Sequence, residues 1–235
     1  MRGFSRNTLK TLAMFVMFGD HMAVALLYPL AGMTALTVET RETLSLLAYA
    51  LRTLGRLAFP IFAFFLVEGF FYTRSKSRYA RRLFCLACLS EIPFDMAISQ
   101  GFLVWGSQNT VFTLCLGLLL LIVLEKTQSF WLQMLLVANA MALSELLRLD
   151  YGASGILLIA LLYFFSGNSR EKAVLGGCLW FFQTLRQLGF GALAFVLLYR
   201  YDGKKQANGR VARLFYLFYP LHLLLLGGLR LLLFG

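Results

Sequence analysis

The sequence predicts an all-α polytopic membrane protein with about nine transmembrane helices, a cytoplasmic N-terminus and a polar cavity in the core of the bundle. Of its 235 residues, 60% are hydrophobic and only 14% are charged. The mean hydropathy of +0.74 is far above that of an ordinary soluble domain. Because no low-complexity linker or fixed-period repeat interrupts the apolar segments, we expect a single domain over residues 1–235.

A helix needs about 20 mostly apolar residues to cross about 30 Å of hydrocarbon. The candidate spans are residues 9–30, 46–72, 80–99, 109–125, 130–147, 153–166, 172–185, 188–201 and 212–234. The seventh and eighth are short and only Arg186 and Gln187 separate them, so they could also form one long helix.

Basic residues decide between these counts, because short cytoplasmic loops collect Lys and Arg. With nine spans, three basic clusters share the cytoplasmic face: Arg2, Arg6 and Lys10, then Arg74, Lys76, Arg78, Arg81 and Arg82, then Arg200, Lys204, Lys205, Arg210 and Arg213. Merging spans seven and eight would place the last cluster outside. The net charge of +11 comes largely from these clusters, which we expect to orient the protein in an inner or plasma membrane and to contact anionic lipid headgroups. No motif indicates nucleic-acid binding.

Ionisable residues also lie inside the predicted spans, where each charge costs about 2.5 to 3.5 kcal/mol to insert. Such side chains should face one another or a wet cavity. Two i, i+4 pairs, Arg52 with Arg56 and Glu91 with Asp95, each share one helix face. They predict a buried ionic clamp that is either structural or binds substrate. Asp20 is expected to meet Arg56 or Arg186.

The two histidines of the chain, His21 and His222, fall at comparable depth in the first and last spans. His21 is about 17 Å along its helix from Lys10. A neutral imidazole can take a proton from an amine or a hydroxyl and so activate it toward an acyl donor. The sequence lacks a nucleophilic serine elbow, a phosphate loop and a zinc-protease motif. Because the four cysteines lie in apolar segments, we expect no disulfide framework and no metal.

Several short motifs together resemble the TraX family of membrane proteins: KTLAMFVMFGDH (10–21), GRLAFPIFAFFLVEGFFYT (55–73), YARRL (79–83), EIPFD (91–95), DYG (150–152) and YPLH (219–222). The resemblance runs from the first span to the last in the same order. It implies an acyltransferase, because TraX acetylates the amino terminus of conjugative pilin. Related multispanning acyltransferases place a basic residue ten residues before a catalytic histidine. Lys10 and His21 have this spacing, although Lys replaces the usual Arg and offers no planar fork.

The resemblance implies an O- or N-acetyltransferase that uses cytosolic acetyl-CoA as co-substrate. His21 is the expected general base, with Asp20, Arg56 or His222 setting its tautomer or steadying the oxyanion. The expected acetyl-CoA entrance comprises Lys10, Glu68, Arg74, Arg78, Arg81 and Arg82. The acceptor, a pilin or other peptide amino terminus or a glycan hydroxyl, is expected from the other face, near Arg56, Glu91, Asp95, Asp150 and Tyr151.

Two other classes also fit the sequence. A proton-coupled transporter or exporter needs carboxylates and histidines at mid-membrane, and prolines at positions 60 and 93 interrupt two spans as broken transporter helices would require. However, such a transporter predicts inverted repeats, which are not evident. A non-enzymatic assembly factor for pili or secretion machinery would explain membrane residence but not the convergence of charges at depth.

Overall fold

The computed structural model describes residues 3–99, 101–102, 104–203 and 209–234, with only the backbone given for 209–213 and 215. Within these ranges the regular elements are helices, which confirms the predicted all-α class. Two isolated parallel β-bridges, Phe4 with Tyr201 and Gln108 with Leu149, tie loops together at opposite ends of the bundle.

The helices follow one another in this order: α1 Arg6–Ala31, α2 Val38–Gly55, α3 Ala58–Tyr72, α4 Lys76–Phe94, α5 Thr110–Leu124, α6 Phe130–Leu146, α7 Gly152–Phe164, α8 Ser169–Gln183, α9 Leu193–Tyr199 and α10 Gly209–Phe234. A π-helical segment, Ala23–Leu27, lies within α1, and a second one, Asp95–Ser99, continues α4. Most of the helices begin where a side chain caps free backbone N–H groups. The capping residues are Ser5, Thr37, Ser75, Asn109, Ser129 and Asn168.

By length and composition, three helical stretches in the described ranges could each cross a membrane: Arg6–Ala31, Val38–Tyr72 and Tyr216–Phe234. The apolar helices α5, α6 and α7 are shorter, and the 13 residues of α7 extend only about 20 Å. Large apolar side chains are exposed on the outer faces of α6 and α10, where a soluble protein would be polar. This pattern is that of a membrane protein, while the number of crossings stays a prediction.

Two predicted span boundaries are corrected by the structure. The second predicted span lies within the stretch Val38–Tyr72, but a turn at Arg56 and Leu57 divides that stretch into α2, which ends at Gly55, and α3, which begins at Ala58. Spans seven and eight are separate, as nine spans require, but the break is longer than predicted. Leu188 and Gly189 have φ values of 56° and 68°, and two consecutive left-handed residues cannot continue a right-handed helix. The alternative of one long helix is therefore wrong.

The start of α1 and the ends of α3 and α9 meet at one end of the bundle, which we call the basic end. There Arg6 forms an ion pair of 2.5 Å with Glu68, and the Tyr201 hydroxyl donates to the same carboxylate over 2.8 Å. Lys76 also pairs with Glu125 at this end. The described residues of the first two predicted basic clusters thus lie together, whereas Arg2, Lys204, Lys205 and the side chains of Arg210 and Arg213 are outside the described residues.

Candidate active site

The two histidines predicted to share one depth contact each other directly. Nδ1 of His21 on α1 lies 2.7 Å from Nε2 of His222 on α10. The ring planes are 12° from parallel and the ring centroids are 5.0 Å apart, so the two imidazoles meet edge to edge through this hydrogen bond. Both side chains are buried, with 7% and 4% of their surfaces exposed. The first and last helices therefore join in a single histidine pair.

Hydrogen bonding fixes the tautomers of this pair when both rings are neutral. The Phe218 carbonyl lies 2.7 Å from Nδ1 of His222, and because a carbonyl only accepts, that nitrogen carries the proton. Nε2 of His222 is then an acceptor, so the shared hydrogen bond is donated by Nδ1 of His21. No described residue hydrogen-bonds to Nε2 of His21, which keeps its lone pair. This nitrogen can serve as a base.

Asp20, beside His21 in sequence, binds two arginines of the α2–α3 corner. Its Oδ1 accepts from Arg56 over 2.9 Å and its Oδ2 accepts from Arg52 over 3.1 Å. The predicted pairing of Asp20 with Arg56 is confirmed. Arg186 is elsewhere, its carbonyl accepting from the Tyr49 hydroxyl. Asp20 thus orients both arginines and does not touch the imidazole beside it.

Gly55, the last residue of α2, permits this close approach. A methyl group at position 55 would lie 2.6 Å from Oδ1 of Asp20 and closer still to its Cβ. We therefore expect Gly55→Ala to push Asp20 away from both arginines and to lower the melting temperature measured in detergent. Gly228→Ala on α10 is the control, because nothing lies within 4 Å of the added methyl. Equal melting temperatures for the two variants would contradict this account.

The predicted ionic clamp is wrong, because Glu91 and Asp95 do not face the arginines. Glu91 Oε2 accepts from the backbone N–H of Asn109 over 3.1 Å and from the Asn109 side-chain amide. Asp95 Oδ2 accepts from the N–H of Val104 over 2.8 Å. Both carboxylates hold the loop that leads into α5. The i, i+4 spacing of Glu91 and Asp95 places them on one face of their helix, but it does not indicate which neighbouring segment that face contacts.

Asp150 and Tyr151, at the turn before α7, form another wall of the site. Asp150 accepts from the Thr110 hydroxyl and from the N–H of Tyr151, and burial raises the pKa of its carboxyl. The Tyr151 ring stacks on Phe59 with centroids 4.2 Å apart and lies 5.8 Å from the guanidinium carbon of Arg56. Trp180, fully buried, donates to the Arg56 carbonyl over 2.9 Å. The arginine corner is thereby supported by an aromatic stack.

Two cavities approach each other at this level. The His21 cavity, of about 200 Å³, is lined by Asp20, His21, Arg52, Arg56, Asp150 and Tyr151 among others. The basic cavity, of about 310 Å³, opens beside Arg6, Lys10 and Arg82 and extends to Tyr219. Met17, Phe62 and Thr110 line both cavities and therefore form the partition between them.

The residues expected at the acetyl-CoA entrance divide into three groups. Lys10 and Arg82 line the basic cavity, and Lys10 also lies 5.3 Å from the centre of the Phe65 ring. Glu68 is held by Arg6 and Tyr201 and faces a separate cavity that Lys172 also lines. The remaining three arginines are exposed at the basic end and line none of the described cavities: Arg74, Arg78 and Arg81.

Sequence reasoning missed two polar residues of these cavities, Thr110, which lines both, and Tyr219, which lines the basic cavity. Thr110 carried no signal, because one threonine at a helix start is common. Tyr219 lies in the YPLH segment, three residues before His222 and hence on the same helix face, which is a signal that could have found it. Within the described residues, no three His, Cys, Asp or Glu side chains come together as metal ligands.

The family model described as TraX protein matches residues 5–230. The chain belongs to the TraX family. A curated protein named probable fimbrial assembly protein FimC, serogroup H1, from Dichelobacter nodosus is 31% identical over 251 residues, covering 95% of this chain and 94% of that protein. No solved structure matches the chain. All residues lining the two TraX cavities fall inside the matched range, so the site lies in the part of the chain that defines the family.

Proposed function

We propose that this TraX-family protein is a membrane-embedded acetyltransferase that moves an acetyl group from acetyl-CoA in the basic cavity to an acceptor in the His21 cavity. The observation that carries the proposal is the hydrogen-bond chain from Phe218 through His222 to His21, which leaves the Nε2 lone pair of His21 free. A positioned imidazole base contributes about 10² to 10⁴ in rate.

The cavities divide the two substrates by charge. Lys10 and Arg82 place positive charge at the mouth of the basic cavity, which suits the phosphates of a polyanionic acyl donor. The His21 cavity contains Asp20 in ion pairs with two arginines, and it suits a small polar group such as an amine or hydroxyl. In this proposal only the acyl group passes the partition, and the CoA moiety stays at the basic end.

The name of the Dichelobacter relative connects the proposal to pili. That protein is named a fimbrial assembly protein, so we propose a pilus-related role and a pilin or other peptide amino terminus as the first acceptor to test, with envelope glycans next. The same name favours a second candidate, a non-enzymatic factor in pilus assembly. A transporter has no comparable support from the relative's name.

The deciding experiment incubates the purified full-length chain in proteoliposomes with acetyl-CoA labelled in the acetyl group and membrane extract, and then locates the label. The acetyltransferase predicts protein-dependent label on a peptide or glycan. The assembly factor predicts no transfer together with loss of pili when the gene is deleted, and this pair of results would reject the enzyme.

Donor binding provides a further test at the basic end. We expect the Lys10→Gln/Arg82→Gln double variant to raise the KM for acetyl-CoA about tenfold or more with a smaller effect on kcat, because two charges that face the polyanion are lost. Arg170→Gln, an exposed change at the start of α8, is the control for altered net charge. An unchanged KM in the double variant would remove these cations from donor binding.

A further inference from the structure

Tyr219 has a buried hydroxyl with no hydrogen-bond partner among the described residues. Three buried side-chain oxygens share this state: Oε1 of Glu91, Oδ1 of Asp95 and the hydroxyl of Tyr219. The two carboxylates each bind loop N–H groups through their other oxygen. Tyr219 alone keeps an unused donor, and an unsatisfied buried donor is costly enough to require an explanation.

The position of the ring supplies that explanation. The Tyr219 ring lies edge-on to both histidines, with its centroid 5.6 Å from that of His222 and 6.2 Å from that of His21. It lines the basic cavity near the partition. Thr110 lies beside the phenol, but the Tyr219 hydroxyl forms no hydrogen bond with it. The Thr110 hydroxyl donates to Asp150 instead.

We infer that the Tyr219 hydroxyl donates a hydrogen bond to the acyl carbonyl oxygen of the donor as that group reaches the partition. The inference rests on the proposed acetyltransferase function and adds a catalytic residue to it. A preorganised donor aimed at the site of developing negative charge stabilises the transition state strongly in a site that excludes water. Tyr219 and His21 then act from the two sides of the partition on one carbonyl group.

The reaction balances with these two side chains. The lone pair of the acceptor amine or hydroxyl attacks the thioester carbon, and the acceptor proton moves to Nε2 of His21. The π electrons of the carbonyl become the lone pair of an oxyanion that accepts from Tyr219. When the carbonyl reforms, the carbon–sulfur bond breaks, and the proton on Nε2 passes to the departing thiolate. The products are the acetylated acceptor, free CoA and a neutral His21.

The test is Tyr219→Phe, which removes only the hydroxyl. We expect kcat for acetyl transfer to fall about 100-fold, with the KM for acetyl-CoA changed less than about twofold. The melting temperature without ligand should equal or exceed that of the natural chain, because an unsatisfied buried group is lost. Tyr163→Phe on α7, outside both cavities, is the matched control for loss of one phenol.

A second measurement does not depend on turnover. The increase in melting temperature with acetyl-CoA minus the increase with CoA reports contacts to the acetyl group. We expect this difference to be positive in the natural chain and to be smaller in Tyr219→Phe. Full activity of Tyr219→Phe would overturn the inference, and so would equal loss of binding to both ligands, which would mark a structural role. If the natural chain itself transfers no label, the proposed function fails first and the role of Tyr219 fails with it.

Discussion

Replacing His21 by Gln is expected to lower acetyl transfer about 1,000-fold while the protein remains folded. A glutamine amide can still donate to Nε2 of His222, so the contact between α1 and α10 is retained. It offers no basic lone pair to the acceptor. Initial rates with labelled acetyl-CoA, together with size-exclusion profiles and melting temperatures in detergent, measure the two parts of this prediction.

His222 supplies the control, because its role is to position His21. His222→Gln provides an amide oxygen that can accept from Nδ1 of His21, whereas His222→Leu cannot. We therefore expect His222→Gln to retain more activity than His222→Leu. Transfer at the natural rate by well-folded His21→Gln would show that the imidazole has no catalytic role, whatever the behaviour of the His222 variants.

Replacing Asp20 by Ala is expected to lower the free energy of unfolding by about 3 kcal/mol. The change leaves two guanidinium groups without their anion, and the Arg56 side chain is only 16% exposed. Chemical denaturation in a fixed detergent, followed by tryptophan fluorescence, measures the effect. Adding Arg56→Leu to Asp20→Ala should recover part of the loss, because one unpaired buried charge is removed.

The pair of Lys76 and Glu125 gives a matched comparison for the same kind of charge removal. The Glu125 side chain is 43% exposed, so Glu125→Gln should cost less than about 1 kcal/mol. If Asp20→Ala were as mild as Glu125→Gln, Asp20 and its two arginines would have to be hydrated and not buried.

The sequence was sufficient for features that depend on composition or on a single helix. Apolar runs predicted the helices, the basic clusters predicted which ends lie together, and equal distances along two spans predicted that His21 and His222 share a level. Periodicity does not specify which helix a face meets. For that reason the partners of Arg52, Glu91 and Asp95 were wrong or missing.

The features that the sequence did not predict depend on contacts between distant segments of the chain. The hydrogen bond between the two histidines joins residues 201 positions apart. The Tyr219 hydroxyl without a hydrogen-bond partner and the partition at Met17 both depend on how the helices pack. A cavity is defined by side chains from several helices at once, so one segment of sequence does not predict it. Likewise, the positive charges of α4 predicted that its arginines lie at one end of the bundle. They did not predict how the helix is rotated about its axis, and that rotation places Arg82 in the basic cavity and Arg81 outside it.

The partition formed by Met17, Phe62 and Thr110 has a bioenergetic consequence. In the proposed function, rotamer changes of these side chains, which line both cavities, would bring a thioester within reach of an acceptor without rocking of whole helices. A bundle that worked in this way would keep its seal against protons and ions throughout turnover. If the proposed function holds, acceptor groups on the far side of the membrane would be modified without dissipating the electrochemical gradient across it.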